Sequence, residues 1–498
     1  MNVNPITRLD YPDPDVIRVE DTYYMVSTTM HFMPGCEILQ SFDLVHWEHA
    51  TYVYETLDHT DAQQLKSGQN IYGQGMWAAS LRYHEGRFCI CFVANDTRKT
   101  YLYTSEKIDG PWKKQLIEGF YHDGSLLFDE DGRNYIVYGN DEIWITELNE
   151  DLTAPKKDGL HRLLVSDHKN PELGYEGSHI QKINGYYYIF LIHSLRDRWM
   201  RTEACFYSDS LEGEFTGGDV LCDDRGYCGQ GVAQGGIVDT PDGKWYAMLF
   251  QDSGAVGRIP ILVPVTWKDH FPFFGQNGHV PEEIEVHSTR PGYIYQPLVG
   301  SDDFCNGLLP RWQFNHDPDP RYYHLDALQG TYTITTREVC TELTQAVNTL
   351  TQRMSYPSCA AEVTVDASAL KEGDVAGLCA LQSCYAAVGI TKHHGKYEVL
   401  MLDKKEDGIL DMTEGTVVES HQMDFRLEAD FCNMKDEARC YYRVNKGDWL
   451  PIGTVHKLYF KLDHFTGCRF GLFCYAAEET GGSACFRDFK YYDVDEIS

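Results

Sequence analysis

The chain has 498 residues, which is too long for one ordinary hydrophobic core and suits two or more domains. It carries 75 acidic and 43 basic residues, a formal net charge of −32. Such a charge repels nucleic acid phosphates and anionic membrane surfaces, so we expect neither as a partner.

The N-terminal segment MNVNPITRLDYPDPD has neither the basic region nor the apolar region of a signal peptide. No run approaches the ~18 apolar residues that a membrane helix needs. The 16 cysteines include no CxxC pair and no zinc-ligand spacing. We therefore expect a cytoplasmic protein with reduced thiols, and a leader removed earlier is the alternative that the sequence leaves open.

One pattern recurs five times in the first 295 residues. Each copy has a head residue, a small residue, a short alternating strand, a polar turn and an aromatic-rich strand. Turns such as HEG, DEDG and ING have the chemistry of tight β-hairpins. The copies are DPDVIRVEDTYYMVS (head Asp13), AASLRYHEGRFCICF (Ala78), DGSLLFDEDGRNYIVY (Asp123), EGSHIQKINGYYYIFL (Glu176) and QGGIVDTPDGKWYAML (Gln234).

The spacing of the heads predicts the architecture. They lie 45 to 65 residues apart, which leaves room for about four strands per copy, the size of a propeller blade. We predict an all-β chain with a five-bladed β-propeller over residues 1–295. The heads then converge at one mouth of the central channel, and three of them are the acids Asp13, Asp123 and Glu176. Burying three carboxylates together is costly, which indicates catalysis; the alternative is that each acid caps a turn.

The segments YPDPDVIRV, HDGSLLFDEDG and YEGSHIQKINGYYYIF resemble the three signature segments of glycoside hydrolase family 43, and the fifth copy is similar to the family's last-blade segment. The resemblance implies an inverting β-xylosidase, α-L-arabinofuranosidase or arabinanase. It also implies that Asp13 is the general base, Glu176 the general acid, and Asp123 the carboxylate that tunes the pKa of the acid and orients it. Inversion requires that base and acid lie about 6.5–9.5 Å apart, and we predict that separation for Asp13 and Glu176.

The same resemblance implies the substrate-binding residues. Arg258 in VGRIP matches the family's substrate-binding arginine, and Trp77 in GMWAAS matches a tryptophan that walls the sugar. Phe32 in TTMHFMPG is a second candidate wall, with a core residue as the alternative, and Gln234 is expected to contact substrate as the fifth head. Where many members have a channel histidine near a bound cation, this chain has GVAQGG. We therefore expect no metal or other cofactor, with a calcium ion held through water as the alternative.

The sequence pattern changes at about Ser301. From there to the end it shows alternating strands with regular turn signals, as in GTYTITT, CAAEVTVD and CRFGLFCYAA. We predict a β-sandwich domain over residues 301–498 that packs on the propeller. It resembles the sandwich appended to many family members, in which a loop narrows the active-site mouth. By that analogy the segment ETGGSACFRDFKYYD is the predicted loop, and Phe486 the predicted lid residue.

These observations predict an inverting, exo-acting glycosidase that releases terminal β-D-xylosyl or α-L-arabinofuranosyl units from short oligosaccharides. One alternative is an endo-acting arabinanase, which needs an open groove. Another is a propeller lectin that binds sugar without cutting it, for which three head carboxylates are unnecessary. The sequence leaves open the preferred sugar and the oligomeric state, with a homo-oligomer as one option.

Overall fold

Four-stranded antiparallel sheets recur five times between Asp15 and Phe274, as the repeats predict. The computed structural model, which describes residues 3–413 and 415–493, arranges these sheets as the five blades of a propeller. Neighbouring blades pack against each other, and the innermost strand of blade one also packs against that of blade five. This closed ring is followed by a β-sandwich, so the predicted fold class is confirmed.

The strands of the blades are these. Blade one contains β1 (Asp15–Val19), β2 (Thr22–Val26), β4 (Gly35–Ser41) and β5 (Glu48–Tyr54), and β3 (Phe32–Met33) leaves it to pair with the sandwich. Blade two contains β6 (Met76–His84), β7 (Arg87–Ala94), β8 (Lys99–Ser105) and β9 (Lys113–Ile117). Blade three contains β10 (Ser125–Phe128), β11 (Asn134–Asn140), β12 (Glu142–Leu148) and β13 (His161–Ser166). Blade four contains β14 (Glu176–Ile183), β15 (Tyr186–Ser194), β16 (Arg201–Ser208) and β17 (Thr216–Leu221). Blade five contains β18 (Ile237–Asp239), β19 (Trp245–Asp252), β20 (Arg258–Lys268) and β21 (Phe271–Phe274).

The hairpin turns follow from local sequence. In the HEGR turn Glu85 and Gly86 have φ values of 47° and 76°, and in the INGY turn Asn184 and Gly185 have values of 49° and 84°. Two successive left-handed residues form the turn whose twist matches that of antiparallel strands. Because glycine adopts this conformation without steric cost, both turns could be predicted from the sequence.

The interfaces between blades are apolar. Between blades one and two, Ile38, Leu81 and Phe92 are completely or almost completely buried, and each such side chain stabilises the fold by about 1.5–3 kcal/mol. The N-terminal segment is attached to blade five through Asn4. Its side-chain amide donates to the carbonyl of Leu262 at 2.8 Å, and its side-chain oxygen accepts the N–H of Leu262 at 2.9 Å.

Two packed sheets form the sandwich. One has the order β3-β22-β25-β35-β27-β28-β29-β30, with β31 on β29, and its own strands are β22 (Gln313–Asn315), β25 (Leu350–Arg353), β27 (Val375–Leu381), β28 (Ala386–His393), β29 (Lys396–Lys404), β30 (Leu410–Met412), β31 (Thr416–Val418) and β35 (Arg469–Tyr475). The other has the order β23-β24-β36-β26-β32-β33-β34, with strands β23 (Tyr323–Asp326), β24 (Thr331–Thr335), β26 (Ser358–Asp366), β32 (Gln422–Asp430), β33 (Glu437–Val444), β34 (Leu450–Lys457) and β36 (Ser483–Asp493).

Within residues 3–413 and 415–493, the helical elements are short 3₁₀ segments, at Lys66–Gly68, Gly254–Val256, Leu343–Gln345 and Cys432–Met434. Among the residues that the structure describes, no helix has the length and apolar character needed to cross a membrane.

The sandwich is joined to the propeller through backbone as well as side chains. Strand β3 of the propeller pairs with β22, so one sandwich sheet extends across the junction. Asp10 of the propeller accepts the N–H of Arg258 in blade five and the N–H of Gly467 in the sandwich, both at 2.8 Å. This carboxylate therefore ties three separate parts of the chain together beside the channel mouth.

The structure changes the alignment of the repeats at one point. The N–H groups of Leu81, Leu126 and Ile180 donate to the side chains of Asp15, Ser80 and Ser125 on the preceding blades. Each donor lies three residues after the head of its copy, so the second, third and fourth heads are Ala78, Asp123 and Gly177. The φ values agree with this alignment, since all five heads have a positive φ: Asp13 (52°), Ala78 (28°), Asp123 (48°), Gly177 (63°) and Gln234 (63°). The prediction that Glu176 heads the fourth copy is therefore wrong by one residue. Glu176 occupies the position of Trp77 and His122, directly before a head.

Candidate active site

The three predicted carboxylates surround the same mouth of the propeller channel. Asp13 and Asp123 are buried and line one small cavity together with Gln234. Glu176 is more open, with 23% of its side chain exposed. Since the heads and the residues before them converge in the ring, three acids that lie far apart in the sequence form one cluster.

Two donors contact the carboxyl group of Asp13. The hydroxyl of Thr28 donates to its Oδ2 at 2.5 Å, and Nη1 of Arg258 donates to its Oδ1 at 2.8 Å. The same hydroxyl accepts the N–H of Ala78 at 2.8 Å. Asp13 is therefore fixed between blades one, two and five, and its charge is paired with a buried guanidinium.

Asp123 lies beside a histidine that had no predicted role. Nε2 of His122 is 3.6 Å from Oδ2 of Asp123 and 3.9 Å from Oε2 of Glu176. Burial and the charges of Glu176 and Asp13 raise the pKa of Asp123 to about 6, although His122 opposes this shift. The Asp123 carboxylate in turn raises the pKa of His122 to about 9. Between those pH values the site contains an ionised Asp123 next to an imidazolium.

Glu176 receives its own positioning contact from blade three. The side-chain amide of Asn140 donates to Oε2 of Glu176 at 2.7 Å. The backbone N–H of Gly177 donates to Oδ2 of Asp123 at 2.9 Å, so the backbone next to Glu176 is joined to the second acid. A carboxyl group held in this way and partly open to solvent can transfer a proton to a molecule in the mouth.

Arg258 and Trp77 lie at the site, as the resemblance implies, and a sandwich residue joins them. The guanidinium carbon of Arg258 is 4.3 Å from the ring centroid of Phe465, and the centroids of Phe465 and Trp77 are 5.5 Å apart. Trp77 is also 6.2 Å from the ring of His122. Phe465, from the loop before β35, therefore forms a wall between blades two and five.

The predicted lid residue and one predicted wall residue lie elsewhere. Phe486 is completely buried on β36 in the sandwich core, where it packs near Tyr332, so the prediction of a lid at Phe486 is wrong. Phe32 is buried in the junction between the domains, with the guanidinium carbon of Arg469 3.4 Å from its ring centroid. The alternative interpretation of Phe32 as a core residue agrees with these contacts.

Gln234 lies at the floor of the site. Its backbone N–H donates to Oε2 of the buried Glu203 at 2.7 Å. Its side chain packs so closely on Gly177 that a Cβ atom there would lie 2.7 Å from Cγ of Gln234. Gly177 thus needs to be glycine both for its φ value and for this approach.

Below the acids, an internal ion pair joins the innermost strands of different blades. Nη1 of Arg82 donates to Oδ2 of Asp15 at 2.7 Å, and Nδ1 of His179 lies 3.1 Å from Oδ1 of Asp15. Arg82 also donates to the hydroxyl of Ser125 at 2.8 Å. Burial alone would raise the pKa of Asp15, but Arg82 and His179 lower it overall.

The side chains around Asp15 do not fit a calcium ion centred on a histidine. Both oxygens of Asp15 already have partners, and one of these partners is the guanidinium of Arg82, whose fixed positive charge would repel a cation at this carboxylate. The expectation that the protein needs no metal stays a prediction.

Sequence reasoning missed four propeller residues at the site, in addition to Phe465 of the sandwich. His122 stands in the quoted HDGS motif, and Thr28 and Asn140 follow strands that the hairpin pattern predicts. Arg201 had a clearer signal: it is the first residue of the third strand in blade four, as Arg258 is in blade five. The repeat could therefore have identified Arg201 once the blades were aligned on their third strands.

Two family models match the chain. Residues 3–272 match the model described as glycosyl hydrolases family 43, and residues 301–492 match the beta xylosidase C-terminal concanavalin A-like domain.

Individual relatives cover most of the chain. It is 26% identical to a beta-xylosidase of Formosa agariphila, over 99% of this chain and 89% of that protein. It is 24% identical to a non-reducing end alpha-L-arabinofuranosidase of Bacteroides ovatus, over 82% of this chain and 79% of that protein. Among solved structures it is similar to a bifunctional GH43-CE protein of Bacteroides eggerthii, with a TM-score of 0.93 and 42% identity over the whole of this chain. The chain spans 64% of the length of that protein, which is less than two thirds.

Proposed function

The chain belongs to glycosyl hydrolase family 43, a family of inverting glycosidases, and we propose that its substrates are oligosaccharides ending in β-D-xylosyl or α-L-arabinofuranosyl units. The names of its relatives support both sugars. The observation that carries the proposal is the cluster of Asp13, Asp123 and Glu176 at one mouth, where carboxyl groups can act on both faces of a glycosidic bond.

The proposed roles follow from how each acid is held. Asp13 is the general base, because the Thr28 hydroxyl and the Arg258 guanidinium orient its carboxyl group, which can take a proton from water. Glu176 is the general acid, because it is the most open of the three and Asn140 orients it. Asp123 and His122 set the charge beside Glu176 and fix its position.

Hydrolysis then proceeds in one displacement. Glu176 donates its proton to the glycosidic oxygen, and that oxygen leaves with the bonding electron pair. Water attacks the anomeric carbon from the opposite face while Asp13 accepts its proton. The sugar is released with inverted configuration, Glu176 is left ionised and Asp13 protonated, and exchange with solvent restores both groups.

An exo mode of attack is supported by the sandwich. Phe465 extends over Arg258 and Trp77, so the mouth is walled on the side of blades one, two and five. A chain end fits such a site, whereas an endo-acting arabinanase needs a groove that is open on both sides.

A paired assay tests the proposed function. Hydrolysis of aryl β-D-xyloside and aryl α-L-arabinofuranoside is measured with and without EDTA. We expect turnover of at least one substrate, and the same rate with the chelator, because Arg82 supplies the positive charge in the channel. Proton NMR of the first-formed sugar should show the inverted anomer. Absence of turnover on both substrates would overturn the proposed function, and a loss of activity in EDTA would overturn the metal-free channel.

Replacing Asp123 by Asn should change the pH profile. The pKa of Asp123 is raised to about 6, so this group is ionised above that pH and takes up a proton below it. We expect kcat/KM of the wild type to fall as the pH drops through about 6. In Asp123→Asn kcat should be about 10²-fold lower. The fall of kcat/KM at acid pH, which is the acid limb of the profile, should be lost or move to lower pH. An unchanged acid limb would contradict a titration of Asp123.

A further inference from the structure

An exposed tryptophan lies on the catalytic face of blade four. Trp199 has 45% of its surface exposed and belongs to the connection between β15 and β16. Residue Ile192 of β15 pairs with Glu176, and two residues later Ser194 pairs with Arg201. The connection therefore leaves the blade at the end where Glu176 lies, between one and two strand spacings, or about 5–10 Å, from the innermost strand.

The loop that carries Trp199 is held in one conformation. The hydroxyl of Ser194 accepts the N–H of Met200 at 2.8 Å and lies 3.3 Å from the carbonyl of Arg198, to which it donates. The amide of Asn170 donates to the carbonyl of Ser194 at 2.9 Å, and Arg196 pairs with Asp167. These contacts fix the loop to the segment that leads directly into Glu176, so exposure of the tryptophan is not a consequence of a loose loop.

Arg201 links Trp199 to the catalytic cluster. Its guanidinium carbon lies 5.3 Å from the Trp199 ring and 5.3 Å from the Phe250 ring, and the charge is paired with Asp252. Arg258, which donates to Asp13, lies 5.3 Å from the same Phe250 ring. Burial and the neighbouring Arg258 lower the pKa of Arg201 to about 10, which agrees with this close arrangement.

The position of the sandwich determines which way the cleaved part of the substrate extends. The sandwich contacts blades one, two and five. Met33 of blade one pairs with Phe314, and Trp77 of blade two packs on Phe465. In blade five, the N–H of Ala255 donates to Asp436 at 3.1 Å. Blades three and four form the opposite side of the ring. The group that accepts a proton from Glu176 lies on that side.

We propose that Trp199, supported by Arg201, forms the subsite for the leaving-group sugar. This inference rests on the proposed function. The apolar C–H face of a pyranose or furanose ring packs on the exposed indole, while the terminal sugar occupies the pocket under Phe465. Arg201 is a positioning residue, because its cation–π contact and its pair with Asp252 hold the indole in place.

The test compares substrates that differ only in the leaving group. The paired assay selects the glycone, and kcat/KM is then measured on its disaccharide, xylobiose or arabinobiose, and on the glycosyl fluoride of the same sugar. Fluoride leaves without occupying a sugar subsite. For Trp199→Ala we expect at least a tenfold loss on the disaccharide, consistent with the energy of an aromatic contact, and a change of less than about twofold on the fluoride. Trp199→Phe should recover part of the loss, because it restores an aromatic face.

Tyr83 provides a matched control. It has the same exposed fraction, 45%, but lies near the turn of the β6–β7 hairpin, at the opposite end of the channel. Tyr83→Ala should leave both substrates unaffected. Equal losses of Trp199→Ala on disaccharide and fluoride indicate a structural role and overturn the inference, as does no loss on either. If the wild type cleaves neither substrate, the proposed function itself fails, which is a separate result.

Discussion

Glu176→Gln should lower kcat/KM for a substrate with a poor leaving group, such as xylobiose, by about 10³-fold. The amide cannot donate a proton to the glycosidic oxygen in the way a carboxylic acid does. Its oxygen can still accept from Asn140, so the side chain keeps its place between blades three and four. The loss therefore measures proton donation and not a displaced side chain.

Leaving-group dependence identifies the acid. A glycosyl fluoride needs little protonation, so Glu176→Gln should hydrolyse it at a rate within about tenfold of the wild type. Glu130→Gln is a suitable control because the Glu130 side chain is 84% exposed on the turn of blade three, and we expect it to have no effect. Equal losses on xylobiose and fluoride would contradict the assignment of Glu176 as the general acid.

Asp13→Asn should lower kcat by about 10⁴-fold on every substrate, the fluoride included. Without a carboxylate at this position, no group between Thr28 and Arg258 can accept the proton of the attacking water. Asparagine is well tolerated at the positive φ of 52° that Asp13 adopts, so we expect the variant to fold.

The two variants are distinguished by one ratio, the rate on fluoride divided by the rate on xylobiose. It should rise steeply in Glu176→Gln and stay near the wild-type value in Asp13→Asn. Asp21→Asn serves as a control in blade one, because the Asp21 carboxylate accepts hydrogen bonds from the exposed Arg290 and from Thr22 beside it. If Asp13→Asn retained activity on fluoride, Asp13 would not be the base.

The sequence predicts those residues of the site that lie at equivalent positions of the repeat. Asp13 and Asp123 share a repeat position, and both have a positive φ in the structure, 52° and 48°. Glu176 is predicted at the mouth but at the wrong repeat position, because the left-handed head of the fourth copy is the next residue, Gly177, and Glu176 precedes it as Trp77 and His122 precede theirs. Glycine at position 177 was visible in the sequence, but only the hydrogen bond from Ile180 to Ser125 shows the true alignment.

The residue that the sandwich places at the active site could not be predicted in the same way. Phe486 alternates with polar neighbours along a strand, so its burial in the sandwich core agrees with the strand pattern. Phe465 lies in a short connection that carries no repeat signal. Which loop reaches the mouth depends on how the second domain is oriented, and that orientation depends on the pairing of β3 with β22 and on the contacts of Asp10.

The sequence by itself determined the all-β class, the five blades and the convergence of three acids, because hairpin turns and strand alternation are local properties that repeat at a regular spacing. The tertiary structure decided what surrounds the acids: the imidazole of His122 beside Asp123, the guanidinium of Arg82 in the channel, and Phe465 over Arg258. These contacts join residues from different blades or domains. Their geometry depends on the closure of the ring and the docking of the sandwich, which no short segment of the chain encodes.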